Sequence, residues 1–147
     1  MKIALKYGLL ITACFIVWVV VAHRLFPDPH SMAHSVGASV FVNLVQIAAI
    51  VLGMRARKNK NGGYLLFKDG LKTGVSISAV YAVSASLFFV VALMFFGSAL
   101  MAVEPGADIK PLWQVALWAF LGLGLGAVLF GLIYSAVASF VLASRKE

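Results

Sequence analysis

The chain has 147 residues, a formal net charge of +7, 63% hydrophobic residues and only 12% charged residues. A soluble globular domain is typically about 45–50% apolar and about 25% charged. A short chain cannot bury this much apolar surface in a water-facing fold, because small domains bury the smallest share of their surface. The composition therefore excludes a soluble enzyme, a nucleic-acid-binding domain and a disordered segment, and it predicts one integral membrane domain.

Four apolar segments are each long enough to cross a bilayer, which takes about 20 residues as an α-helix. In chain order they cover residues 7–25, 36–54, 71–101 and 112–143. Proline-containing segments follow the first and the third, where they break the chain. A basic loop at 55–70 separates the middle two. The sequence thus predicts an all-α, four-helix membrane bundle.

Charge is distributed unevenly about the four predicted spans. The side with both termini and the 55–70 loop carries ten basic and two acidic residues, a net charge of +8. The opposite side carries two basic and three acidic residues, a net charge of −1. Because Lys and Arg accumulate in short cytoplasmic loops, we expect both termini and the middle loop to be cytoplasmic.

The first span has a second interpretation. Lys2, Lys6, an apolar run and the small residues near Ala22 resemble a signal peptide with a cleavage site. The apolar run is long for a signal peptide and contains Trp18 close to that site. We therefore expect the first span to be retained as a helix.

Small residues recur at every fourth position in the last two spans, which places them along one helix face. Lipid supplies no hydrophobic drive for helix association, so close packing through small residues takes its place. We therefore predict helix contacts, within the bundle or between copies, at Gly74, Ser78, Ala82, Ser86, Gly122, Gly126, Gly131 and Ser135.

Asn43 and Gln46 are the most polar side chains deep within any span, and their spacing of three places them on one face. A buried amide in hydrocarbon needs a hydrogen-bond partner on another helix. The candidate partners are Ser76, Ser78, Ser84 and Ser135. The pair acts either as structural glue or as a small polar site inside the bundle.

The predicted outer side carries Asp28, His30 and His34, residue types that suit zinc or copper. Prolines interrupt this segment and no second ligand cluster is visible, so these are weak metal candidates and we expect no metal and no cofactor. A haem on His23 would lack an opposite histidine. The lone Cys14 cannot form an intramolecular disulfide.

No catalytic motif is readable in the chain, so we expect a protein that is not an enzyme. Gly122, Gly124 and Gly126 lack the strand and acidic residue of a dinucleotide-binding loop. The middles of the spans also lack Asp, Glu, Lys and Arg, residues that transport chemistry usually places in the membrane.

The middle loop combines a basic cluster with two glycines and an apolar, aromatic patch. Such a segment suits the cytoplasmic face of an anionic membrane, where each basic residue contributes roughly 1 kcal/mol of attraction. The predicted lipid-headgroup residues are Arg55, Arg57, Lys58, Lys60, Lys68 and Lys72. Setting the topology is an alternative role for the same charges.

At this loop the sequence resembles bacterial membrane proteins of domain of unknown function family 4199. The resemblance rests on the charged loop, a glycine, the aromatic Phe67 and the GLKTG entry into the third span at Gly70–Gly74. It implies four spans and a bacterial inner-membrane location, and it carries over no functional residues.

The leading hypothesis is an accessory or interaction helix bundle. It would contact the lipid bilayer and either a second copy or another membrane protein, with no nucleic acid. The alternative is a small oligomeric transporter or channel that uses the polar face around Asn43 and Gln46.

Overall fold

The computed structural model describes residues 2–25, 32–96 and 111–143, and these form four α-helices. The helices are α1 (Lys2–Leu25), α2 (Met32–Lys60), α3 (Phe67–Phe96) and α4 (Leu112–Leu142). All four are long and apolar enough to cross a membrane. The prediction of an all-α architecture with four helices is confirmed.

The helices are placed as predicted, but several ends differ. The basic loop predicted at 55–70 contains helical residues at both ends, since α2 continues to Lys60 and α3 begins at Phe67. Arg and Lys are good helix formers, so the basic run extends α2 beyond its apolar part. The last five residues predicted for the third span, 97–101, lie outside the described residues.

A glycine turn ends α2. The Gly63 amide donates to the Lys58 carbonyl at 3.0 Å and the Gly62 amide donates to the Asn59 carbonyl at 3.3 Å. Gly62 has a φ of 76°, the left-handed conformation that glycine adopts without steric cost. This pattern is a Schellman motif, which satisfies the last carbonyls of the helix. The turn redirects the chain, and α3 begins after a connection of six residues, 61–66.

α3 lies at the centre of the bundle and packs against α1, α2 and α4. Its inward residues are almost fully buried, including Ile77, Tyr81 and Ala85. Against α1, the backbone approach is close at Gly8, where an added Cβ would lie 2.6 Å from Val80. A hydrogen bond of 2.6 Å between the hydroxyls of Thr12 and Ser84 joins the same two helices.

α3 and α4 are held together by glycines that face serines across the interface. An added Cβ at Gly131 or Gly74 would overlap the side chain of Ser78 or Ser135, respectively. One turn further, an added Cβ at Gly70 would lie 2.7 Å from Ser139 Oγ. We call this set the Gly–Ser seam; its members are Gly70, Gly74 and Ser78 on α3 and Gly131, Ser135 and Ser139 on α4.

The Gly–Ser seam has one antiparallel register, since each step of four residues along α3 is matched by a step of four back along α4. Glycine allows the two backbones to approach closely, which is how small residues drive helix association in lipid. The serine hydroxyls do not remain unpaired: Ser135 donates to the Gly131 carbonyl and Ser139 to the Met54 sulfur at 3.8 Å.

Candidate functional site: a polar cleft between α2 and α4

The Gln46 carboxamide of α2 is the most buried amide in the bundle core, with 2% of its surface exposed. Its Nε2 atom donates to the Ala127 carbonyl at 2.9 Å and to Ser78 Oγ at 3.4 Å. One side chain of α2 therefore binds both α3 and α4. Of the serines predicted as amide partners, Ser78 has this role.

Asn43 lies one turn away on the same helix but bonds to a residue that the sequence did not indicate. The Tyr134 hydroxyl of α4 donates to Asn43 Oδ1 at 2.6 Å, and Asn43 Nδ2 donates to the Ser39 carbonyl at 2.7 Å. Tyrosine can place a polar tip at the end of an apolar body. The presence of a tyrosine within a predicted span was the feature of the sequence that could have indicated this partner.

The other predicted serines have different partners. Ser84 bonds to Thr12 and to its own helix backbone, and Ser135 bonds to the Gly131 carbonyl. Of the candidate serines, Ser78 is thus the partner of Gln46, and Ser84 and Ser135 are not partners of either amide. Ser84 faces Thr12 of α1, and Ser135 faces Gly74 of α3.

A cleft of about 290 Å³ opens between α2 and α4 beside these amides. Asn43, Gln46 and Tyr81 supply polar atoms to its lining, and Phe15 and Phe130 supply aromatic walls. The remaining lining residues are small or aliphatic: Ala38, Ser39, Val42, Gly122, Leu123, Gly126 and Ala127. At Gly122 and Gly126 the α4 wall of the cleft has no side chain, which leaves space between the two helices.

The predicted packing residues fall into two groups. Gly74, Ser78, Ser86, Gly131 and Ser135 are buried, as is Ala82 at 4% exposure. By contrast, an added Cβ at Gly122 or Gly126 would meet no atom within 4 Å. Among the described residues these two glycines make no close contact with another helix, so of the two settings predicted for them a contact between copies stays a prediction. They line the cleft.

The predicted headgroup residues gather at the end of the bundle where α2 ends and α3 begins. Arg55, Arg57, Lys58 and Lys60 lie in the last turns of α2, while Lys68 and Lys72 lie in the first turns of α3. Lys58 donates to the Leu142 carbonyl at the end of α4, at 3.3 Å. The Arg57 Nε atom is buried and has no hydrogen-bond partner.

The weak metal candidates lie largely outside the described residues. Asp28 and His30 fall in the segment between α1 and α2, outside the described residues. His34 belongs to α2, but its side chain is not among those described. Within residues 2–25, 32–96 and 111–143, no three His, Cys, Asp or Glu side chains come together. The metal hypothesis at Asp28, His30 and His34 therefore stays untested.

Four apolar helices around a buried polar centre fit a multi-pass membrane protein. The chain belongs to the family described as Protein of unknown function (DUF4199), whose family model matches residues 6–103. The matched part contains α2, α3 and all but the first four residues of α1, and α4 lies beyond it. Neither the curated proteins nor the solved structures contain a match to the chain.

Proposed function

We propose that the protein is a non-enzymatic accessory bundle of the bacterial inner membrane. Both termini and the short connection at 61–66 lie in the cytoplasm. The basic end holds the bundle at anionic lipid headgroups, and the helices associate with another membrane protein or a second copy. The observation that carries this proposal is the excess of positive charge at one end, where the described residues form no ion pair.

That excess is large for so small a surface. The end formed by the start of α1, the end of α2 and the start of α3 carries Lys2, Lys6, Arg55, Arg57, Lys58, Lys60, Lys68 and Lys72. Asp69 is the single acidic residue among the described parts of the chain, and it forms no ion pair there. The unpartnered Nε of Arg57 lies in this same region. Anionic headgroups would supply the missing partners.

Site-directed photocrosslinking in native membranes tests the accessory role. We would place a photoreactive residue at Lys60, in the basic end, and at Leu125, which is 61% exposed on α4. A discrete adduct of higher mass is expected from at least one position, and its mass identifies a partner protein or a second copy. Recovery of the monomer alone from both positions would contradict the accessory role.

The orientation needs a separate measurement. In a Cys14→Ala background, Asn59→Cys places a thiol at the exposed end of α2. A membrane-impermeant maleimide should label it in inside-out vesicles and not in intact cells. Labelling in intact cells would reverse the proposed orientation.

The cleft favours a second candidate function, a small oligomeric transporter or channel. It brings a polar group of Asn43 and of Gln46 to one opening within the span region. Solute flux in proteoliposomes that is lost in Asn43→Leu, and kept in Leu44→Ala on the exposed face of α2, would favour this candidate over the accessory role.

A further inference from the structure

The hydroxyl of Tyr81 is an unused hydrogen-bonding group at the α2–α4 cleft. Tyr81 is 2% exposed and contributes to the cleft lining. Its hydroxyl forms no hydrogen bond with any residue in the described part of the chain, although its backbone carbonyl accepts from Ser84. The Tyr81 hydroxyl is not among the described polar atoms that are fully buried without a partner, so it keeps access to open space, where it is a donor that the protein itself leaves unmatched.

Gln46 supplies the complementary acceptor. Both of its hydrogen bonds use Nε2, through Ala127 and Ser78, and its Oε1 atom accepts none from the described residues. Tyr81 and Gln46 line the same cleft. A hydroxyl group can accept one hydrogen bond and donate another through a single oxygen, so it matches this donor and acceptor together.

The rest of the cleft selects a neutral and mainly apolar molecule. Among the described residues its lining contains no Asp, Glu, Lys, Arg or His, and Phe15 and Phe130 contribute aromatic surface. Gln46 precedes the end of α2 at Lys60 by 14 residues, which is roughly 21 Å at a helical rise of 1.5 Å per residue. The site therefore lies within the span region, where a ligand enters from the lipid.

We propose that the cleft binds a neutral, membrane-soluble molecule with one hydroxyl group on a hydrocarbon body. Its hydroxyl oxygen accepts from Tyr81 and its hydroxyl hydrogen is donated to Gln46 Oε1. The hydrocarbon body packs between Phe15 and Phe130. A volume of about 290 Å³ is at the lower end of small-molecule sites, which fits a chain of moderate length. Binding there does not depend on the partner proposed above.

A photoreactive diazirine derivative of octan-1-ol tests this site on the full-length protein in lipid nanodiscs. We expect saturable labelling at cleft residues, mapped by mass spectrometry. Octan-1-ol should compete for the site. Methyl octyl ether can accept a hydrogen bond but cannot donate one, so it should compete about threefold to tenfold more weakly. This range corresponds to the net contribution of one hydrogen bond. Octane should compete most weakly.

Two variants with matched controls distinguish the contribution of the Tyr81 hydroxyl to binding from that of the open volume of the cleft. Tyr81→Phe removes only the hydroxyl and should weaken octan-1-ol competition about threefold to tenfold, whereas Tyr7→Phe on the other half of the bundle should leave it unchanged. Gly126→Leu should abolish saturable labelling, because a side chain there enters open space. Val137→Leu, at a lipid-facing position of α4 that is 62% exposed, should not.

Labelling that does not saturate, or that octane competes as well as octan-1-ol, would overturn the proposal. Equal competition in Tyr81→Phe and in the wild type would do the same. If the wild type takes up no probe and Gly126→Leu converts an oligomer to a monomer, a helix of a second copy fills the cleft and the ligand proposal is wrong. Should Tyr81→Phe fail to fold, the competitor series and Gly126→Leu decide the outcome.

Discussion

The Tyr134 hydroxyl of α4 donates to Asn43 Oδ1 of α2 at 2.6 Å, across 91 positions of the chain. This hydrogen bond joins the two helices that border the cleft. Beside it, Gly122 and Gly126 of α4 carry no side chain that could fill the space between the helices. The spacing of α2 and α4 therefore depends on a few polar contacts rather than on a continuous packed interface.

A double-mutant cycle between Tyr134→Phe and Asn43→Leu should give a coupling free energy of about 0.6–1.7 kcal/mol, the range for hydrogen bonds between membrane helices. The measurement is the free energy of unfolding in mixed detergent micelles. The same cycle between Asn43→Leu and Ser135→Ala should give no coupling, because Ser135 bonds to its own helix. Coupling to Ser135 and none to Tyr134 would contradict the observed pairing.

Gln46→Leu should lower the free energy of unfolding by about 1–3 kcal/mol. The change removes the donor to the Ala127 carbonyl and to Ser78, and it leaves buried groups unsatisfied. Leu44→Ala on the same helix, at a site that is 61% exposed, is the control and should change stability by less than about 0.5 kcal/mol. Equal effects of the two substitutions would show that the Gln46 hydrogen bonds do not stabilise the bundle.

Gly131→Ala should destabilise the bundle by about 1–3 kcal/mol, the usual cost of overpacking a close interface. An added methyl group would overlap Ser78 and lie 2.9 Å from Gln46 Nε2. Gly122→Ala on the same helix meets no atom within 4 Å, and its stability should be unchanged or slightly higher. Thermal unfolding of both variants in one detergent distinguishes them; a loss of stability in Gly122→Ala alone would reverse the assignment of the two glycines.

Gly62→Ala should lower stability by about 1–2 kcal/mol, because an L-residue with a Cβ is strained in the left-handed region. Nothing lies within 4 Å of an added Cβ at this position, so the cost would come from the backbone alone. Gly62→Asn should cost less, since asparagine tolerates this conformation better. A smaller loss for alanine than for asparagine would argue against a conformational origin.

The helices and the polar centre were predictable to different degrees. Hydropathy located all four helices, because the hydrocarbon layer imposes both a length and an apolar composition. It does not locate the end of the α2 helix, because helix propensity carries the basic run beyond the predicted span to Lys60. A spacing of four identified the faces of α3 and α4 that carry Gly74 and Gly131, although it could not show that glycine meets serine across the interface.

The surroundings of Gly122 and Gly126 and the partner of Asn43 could not be predicted, for one physical reason. Periodicity assigns a residue to a face of its own helix, but the neighbour of that face depends on how the helices are arranged. Gly122 and Gly126 share a face that borders the cleft rather than α3. Only serines were candidates for partners of the two amides, so the Tyr134 hydroxyl was not predicted as the partner of Asn43.

The Gly–Ser seam can form only after α4 has been synthesised, so it is a late contact in the assembly of the chain. Because translation runs from the N-terminus, α1, α2 and α3 are made before α4 exists. Until α4 is inserted, the seam face of α3 is open to lipid and Gln46 lacks the Ala127 carbonyl as its acceptor. The first three helices therefore form an incomplete intermediate, and translation of the last helix closes its polar face.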